Sequence, residues 1–277
     1  MAPTPARTAA LLANLATVAS HIAAANPTHR AVRLLLVSKL KPPSDILALH
    51  TPSPTNPNPP SHFGENYVQE LASKAAALPQ SINWHFIGAL QSNKCKTLAH
   101  IPNLFCVASV DSARTADALN KARKAFIEAQ AKEANTTSDI PSSPLRLGIY
   151  IQVNTSGEAS KSGVTPPAAL ELATHVRDAC PALRLAGFMT IGAIARSQAA
   201  AAGEENEDFI TLRKVRDDVA AALDIPVQEL ELSMGMSGDF EAAIALGSDE
   251  VRVGSAIFGA RPPKGEAAKT SAAEGAA

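Results

Sequence analysis

Eight short runs rich in Val, Ile, Leu and Phe recur along this chain of 277 residues, each followed by a longer Ala-, Lys- and Glu-rich stretch with helical spacing. The runs lie near 33 to 38, 61 to 65, 82 to 88, 104 to 109, 146 to 153, 183 to 190, 229 to 233 and 250 to 253. The helical stretches lie near 42 to 49, 67 to 77, 91 to 99, 112 to 132, 166 to 178, 205 to 222, 238 to 246 and, briefly, 255 to 259. Strands separated by helical crossovers pair in parallel, so eight such units in one chain of this length predict an α/β fold, a single closed (β/α)8 TIM barrel. An open doubly wound sheet is the runner-up.

The barrel is expected over residues 31–261. Ahead of it, within residues 1–30, Leu11, Leu15, Val18 and Ile22 recur at the spacing of an amphipathic helix laid against the domain. Three segments break the alternation: 51–60, 135–144 and the Ala- and Glu-rich stretch 198–207. Their proline or small polar content reads as surface excursions between units. The tail at 262–277 carries too little apolar content to pack and is expected to be disordered.

Composition narrows the class of partner. With 25 basic and 26 acidic side chains the net charge is -1, which gives no electrostatic basis for nucleic acid or an anionic membrane surface. Cys95, Cys106 and Cys180 are odd in number, widely spaced and lack a CxxC pair, so neither a disulfide framework nor a zinc site is expected. No uninterrupted apolar run has the length of a bilayer span, and a cytoplasmic location is the expectation. The alternative is mitochondrial, because no acidic residue precedes Asp45 and Arg7 sits in an Ala-, Thr- and Leu-rich opening.

In a barrel of this kind chemistry gathers where the strands end, and the first strand ends at Lys39. An amine at the rim of an apolar wall loses hydration, which favours its neutral, nucleophilic form and condensation with an aldehyde as a Schiff base. Pyridoxal phosphate is the aldehyde this suggests. The plain alternative is a lysine that snorkels into water. Loops after strands seven and eight commonly bind phosphate through backbone N–H groups. There Gly254 allows close approach, Ser255 offers an N–H and a hydroxyl, and Ser237 opens a helix, although a Ser followed by Asp239 and Glu241 is also an ordinary helix cap. Arg252 points either into the barrel mouth, toward a cofactor ring nitrogen, or out under a helix into an ion pair. Asn66 either bonds a cofactor oxygen or caps the following helix. His85, between Trp84 and Phe86, reads as a hydrogen-bonded core residue, and the stretch 157–163 reads as a lid with Lys161 as a secondary anion contact.

Four motifs then resemble one family. FGENYVQE at 63–70, WHFIGALQSNK at 84–94, IQVNTSGEASKSG at 151–163 and LSMGMSGDFEAAIALGSDEVRVGSAIFGAR at 232–261 are similar to the pyridoxal phosphate homeostasis proteins, the YggS and PROSC group. The resemblance implies a barrel of the alanine racemase type with pyridoxal 5'-phosphate on Lys39. It also implies a phosphate site at Ser237, Gly254 and Ser255 with backbone at Met236, and Arg252 at the ring nitrogen. Ala89 stands where many relatives carry a histidine.

Two function classes follow. One is a carrier in vitamin B6 homeostasis that stores, buffers or delivers the cofactor to apoenzymes, as a monomer or weak dimer. The other is a pyridoxal phosphate-dependent amino-acid racemase. Two-base racemisation needs a base facing Lys39 across the cofactor. The stretch after Arg261 is unfit to build the extra domain that supplies one, and neither Tyr67 nor Tyr150 has a spacing that announces a base. The carrier, without strong catalysis, is therefore the expectation.

Overall fold

The computed structural model describes residues 3–133, 146–201 and 204–260. Eight parallel strands close in chain order into a barrel: β1 (Arg33–Val37), β2 (His62–Glu65), β3 (Asn83–Phe86), β4 (Leu104–Val110), β5 (Leu147–Gln152), β6 (Leu183–Met189), β7 (Glu231–Met236) and β8 (Glu250–Val253). The helices are α1 (Pro5–Ala25), α2 (Pro43–His50), α3 (Val68–Ala77), α4 (Cys95–Ala99), α5 (Ala113–Glu133), α6 (Ala168–Ala179), α7 (Ile194–Ala201), α8 (Glu207–Leu223), α9 (Phe240–Ala245) and α10 (Ser255–Phe258). The expected 135–144 excursion and the 262–277 tail lie outside the described residues.

Alternation along each strand sorts the side chains into two layers. Leu36, Phe63, Trp84, Val107, Ile149, Phe188 and Val251 belong to the large apolar layer that the helices cover. A smaller interior cluster holds Cys106, Ala108, Tyr150, Ala186 and Met189. Val251 and Val253 both lie in the outer layer, so Arg252 between them faces inward.

The opening helix α1 packs as its spacing predicts, with Leu11 and Val18 buried and Leu15 and Ile22 against the same layer. Its Arg7 pairs with Asp45 at 2.6 Å and donates to the Phe258 carbonyl, which ties α1 to α2 and α10. One expectation changes here. Over 18 residues α1 has a mean hydropathy of 1.4, long and apolar enough by length and composition to cross a membrane, although here it lies on the barrel.

Three boundaries differ from expectation for local reasons. Strand β7 runs to Met236 because Gly235, at φ 91°, absorbs a bulge against β8 that lets pairing continue through a stretch resembling a loop. Helix α9 starts at Phe240, since the Asp239 carboxylate accepts from the Met236 amide and holds the preceding turn. Residues 198–201, expected to be part of an excursion, lie in α7. The 51–60 excursion is confirmed as a mostly exposed loop, pinned by buried Asn56 donating to the Leu49 carbonyl.

The N-terminal end of the barrel is filled with polar groups. Arg33 pairs with Glu231 at 2.6 Å and Glu250 at 3.3 Å, and the Tyr150 hydroxyl donates to Glu231. His62 and His85 ring nitrogens are 2.8 Å apart, and His85 Nδ1 lies 3.3 Å from Glu250. His85 is thus the hydrogen-bonded core residue its apolar neighbours announced. Burial, reinforced by Arg33, holds His85 down to about 3, and burial with its neighbour His85 holds His62 down to about 4.

The unfolded chain takes up a proton at each histidine near pH 6.5, whereas the folded barrel resists. Stability contributed by neutral His85 is therefore present above pH 6.5 and lost as pH falls below it, by about 2 kcal/mol between pH 7 and pH 5. Urea unfolding at the two pH values should show a loss smaller by about that amount in His85→Gln than in the parent. Equal losses would remove His85 as the source.

Candidate binding site at the barrel mouth

Strand closure decides which residues meet. Because β8 pairs with β1 through Arg33↔Glu250 to Leu36↔Val253, the turn after β8 lies beside the turn after β1. A Cβ on Gly254 would stand 3.2 Å from the Val37 carbonyl, so the bare glycine lets these turns pack closely. Lys39 sits two residues beyond Val37 and is half-buried. Ser237, Gly254 and Ser255 come together on the same sector: the Gly254 amide donates to Ser237 Oγ at 3.3 Å, and Ser255 opens α10. Ser237 therefore does not cap α9, whose N-cap is Asp239. The amide of Met236, the backbone group expected beside them, donates to the Asp239 carboxylate at 2.6 Å.

Arg252 forms the floor. Its guanidinium is buried and donates to the Ser233 carbonyl at 2.8 Å, to Ser233 Oγ at 2.9 Å and to the Thr190 carbonyl at 2.7 Å. It faces the barrel interior and makes no ion pair under a helix among the described residues. Burial lowers its pKa while Glu250 opposes that shift. Ser233 in turn donates to Glu250 at 2.8 Å, so the arginine is linked through one hydroxyl to the polar base of the barrel.

Asn66 follows β2 and does not cap α3, whose N-cap is Tyr67 without a side-chain bond. Its side-chain oxygen is buried without a hydrogen-bond partner among the described residues. A buried acceptor without a partner costs about 1–3 kcal/mol, which leaves this oxygen suited to accept from a ligand. The stretch expected as a lid is instead stitched down. Lys161 pairs with Glu158 at 2.8 Å and donates to the Gly192 carbonyl, and Asn154 bonds the Glu158 and Lys161 carbonyls.

Sequence reasoning missed the cluster behind Lys39. Lys74, almost fully buried, donates to Glu65 and Glu70 at 2.7 Å each and to the Ser38 carbonyl at 2.9 Å. The Leu40 amide donates to Glu70 at 2.7 Å, and Ser38 Oγ donates to Glu65 at 2.7 Å. Burial pushes Glu65 up to about 7 against the pull of Lys74. Breaking one partner of such a buried group costs about 3–5 kcal/mol. A signal was available: Lys74 falls between Leu71 and Ala75 on the buried stripe of α3, a charge where the pattern asks for an apolar residue.

The end of β3 supports Asn66 through close backbone contact. A Cβ on Gly88 would lie 2.0 Å from the Asn66 carbonyl oxygen. Gly88→Ala should therefore lower unfolding free energy by about 2 kcal/mol or more, measured by urea titration. An unchanged midpoint would show that the two strand ends are free to separate.

The comparisons with known proteins agree with this geometry. Residues 7–262 match the family model described as alanine racemase, N-terminal domain. The pyridoxal phosphate homeostasis protein of Schizosaccharomyces pombe is 43% identical over 233 residues, 84% of this chain and 86% of the relative. The human protein of that name is 38% identical over 234 residues, 83% of this chain and 76% of the relative. Among solved structures, PipY of Synechococcus elongatus with PLP bound superposes with a TM-score of 0.62 at 25% identity, covering 90% of this chain and all (100%) of that one. The chain belongs to the pyridoxal phosphate homeostasis protein family, built on the alanine racemase N-terminal domain fold.

Proposed function

We propose that this chain binds pyridoxal 5'-phosphate at the barrel mouth through a Schiff base to Lys39 and holds it for intracellular B6 homeostasis. Delivery to apoenzymes is part of the reading, as are a cytoplasmic location and a monomer or weak dimer. The observation that carries it is the convergence on one sector of Lys39, the Ser237 and Gly254–Ser255 turns, and the buried Arg252. The names of the relatives and the PLP-bound PipY structure support the ligand.

The residues fit a phosphorylated aromatic aldehyde. When bound, the cofactor supplies the aldehyde carbon that an amine can attack. Lys39 provides that amine from the turn after β1. Ser237 Oγ and the Ser255 N–H and hydroxyl are suited to phosphate oxygens, and Asn66 offers an acceptor with no other partner among the described residues. Arg252 holds a fixed cation on the floor of the mouth, which disfavours a second positive charge on a ring nitrogen beside it and weakens the ring as an electron sink. That favours holding the cofactor over stabilising a carbanion.

The racemase reading needs a base opposite Lys39. Tyr150 is committed to Glu231 and Arg33 at the far end of the barrel. Tyr67 stands exposed after β2, the strand paired with β1.

Mixing the purified protein with pyridoxal phosphate should produce a visible absorption band. Borohydride should then fix one pyridoxyl group on Lys39, located by peptide mass mapping. Persistence of the band in Lys39→Ala would overturn the assignment. Chiral analysis of common amino acids should show no turnover above free cofactor, and robust racemisation would overturn the carrier reading.

A further inference from the structure

We infer that Lys74, Glu65 and Glu70 form a positioning clamp that grips both peptide groups of Lys39, fixing the direction from which its amine meets the cofactor aldehyde; this rests on the binding reading above. Lys39 is the second residue of a turn closed by Lys41 N donating to the Ser38 carbonyl at 3.0 Å. The third residue, Leu40, sits at φ 61°, a left-handed conformation that suits glycine and strains a side chain bearing a Cβ. Something must hold it there.

The clamp does so from both sides. The peptide before Lys39 presents its carbonyl, that of Ser38, to Lys74 Nζ at 2.9 Å. The peptide after Lys39 presents its N–H, that of Leu40, to Glu70 at 2.7 Å. Lys74 joins Glu70 to Glu65 at 2.7 Å each, and Glu65 takes the Ser38 hydroxyl at 2.7 Å. The Ser38 amide is bound to the Gly64 carbonyl at 3.0 Å, which anchors the turn to β2. Lys74 and Glu65 are almost fully buried, so water does not compete for the bonds between them and Ser38, while Glu70 is half-buried.

A purely structural solution would look different. Leu71 and Ala75 flank Lys74 on the stripe that α3 buries, and apolar side chains in place of both Lys74 and Glu65 would avoid the cost of removing a charged pair from water. Glycine at position 40 would avoid the strain. A strained residue and a buried ion cluster converge on the two peptide groups of Lys39, which marks the expense as orientational. Ser38, the residue before Lys39, gives its hydroxyl to Glu65 within the clamp.

The test uses the full chain and two substitutions at half-buried Glu70, backed by Lys74→Met. Glu70→Gln keeps an acceptor for the Leu40 amide, whereas Glu70→Ala removes it. In cofactor-free protein, hydrogen exchange at the Leu40 amide, followed by NMR, should quicken about ten-fold or more in Glu70→Ala and stay near the parent value in Glu70→Gln. On adding pyridoxal phosphate, the stopped-flow rate of Schiff-base formation at Lys39 should fall about ten-fold or more in Glu70→Ala and Lys74→Met, with Glu70→Gln close to the parent. Formation at the parent rate in folded Glu70→Ala or Lys74→Met overturns the clamp alone. No adduct at Lys39 in the parent itself overturns the binding reading and the clamp with it.

Discussion

The pairing of β1 with β8 is the contact on which the rest depends. Four register pairs, Arg33↔Glu250 to Leu36↔Val253, turn a row of parallel strands into a closed barrel. Closure removes the sheet edges, creates an interior, and brings the last strand-end turn next to the first. Without it Gly254 and Ser255 would lie at one edge of an open sheet and Lys39 at the other. The same seam joins the two ends of the interior, since Arg33 and Glu250 meet at its base and Arg252 sits above them.

That interior is unusual in being polar where many barrels are filled with branched apolar residues. Its groups are arranged as a chain. Glu231, Tyr150, Arg33 and Glu250 occupy the base, Ser233 connects Glu250 to Arg252, and Arg252 reaches the Thr190 carbonyl at the end of β6. Each member fixes the next, so the guanidinium under the mouth has little freedom to swing toward a carboxylate of its own. A cation held in this way tempers any electron-withdrawing ring above it. The clamp behind Lys39 follows the same logic on the outer side of the wall: buried ionic groups whose cost is offset by the geometry they impose.

Much of this was legible because the barrel repeats one physical pattern. Apolar runs and helical spacing recur with each unit, and strands such as 250–253 and 104–109 can be read to within a residue. The strand-end rule then pointed to Lys39, Ser237, Arg252, Gly254 and Ser255 without any contact being known. What escaped was set by single residues with special backbone roles and by contacts between distant parts of the chain. The extension of β7 depends on Gly235 adopting a positive φ, and the start of α9 on Asp239 bonding backwards to Met236. The Lys74 cluster joins residues from β1, β2 and α3, which no local window contains. The direction of Arg252 needed only the burial of its two valine neighbours, which a sequence can propose but not decide.

The central claim is that one sector of the mouth presents an amine, a phosphate cradle and a fixed cation to a single ligand. A crystal structure of the protein reduced with borohydride in the presence of pyridoxal phosphate tests it most directly. The account predicts continuous density from Lys39 Nζ to the pyridoxyl ring, with the phosphate on Ser237, Gly254 and Ser255 and the ring nitrogen facing Arg252. Density on another lysine, or a phosphate lodged away from the turns after β7 and β8, would contradict it.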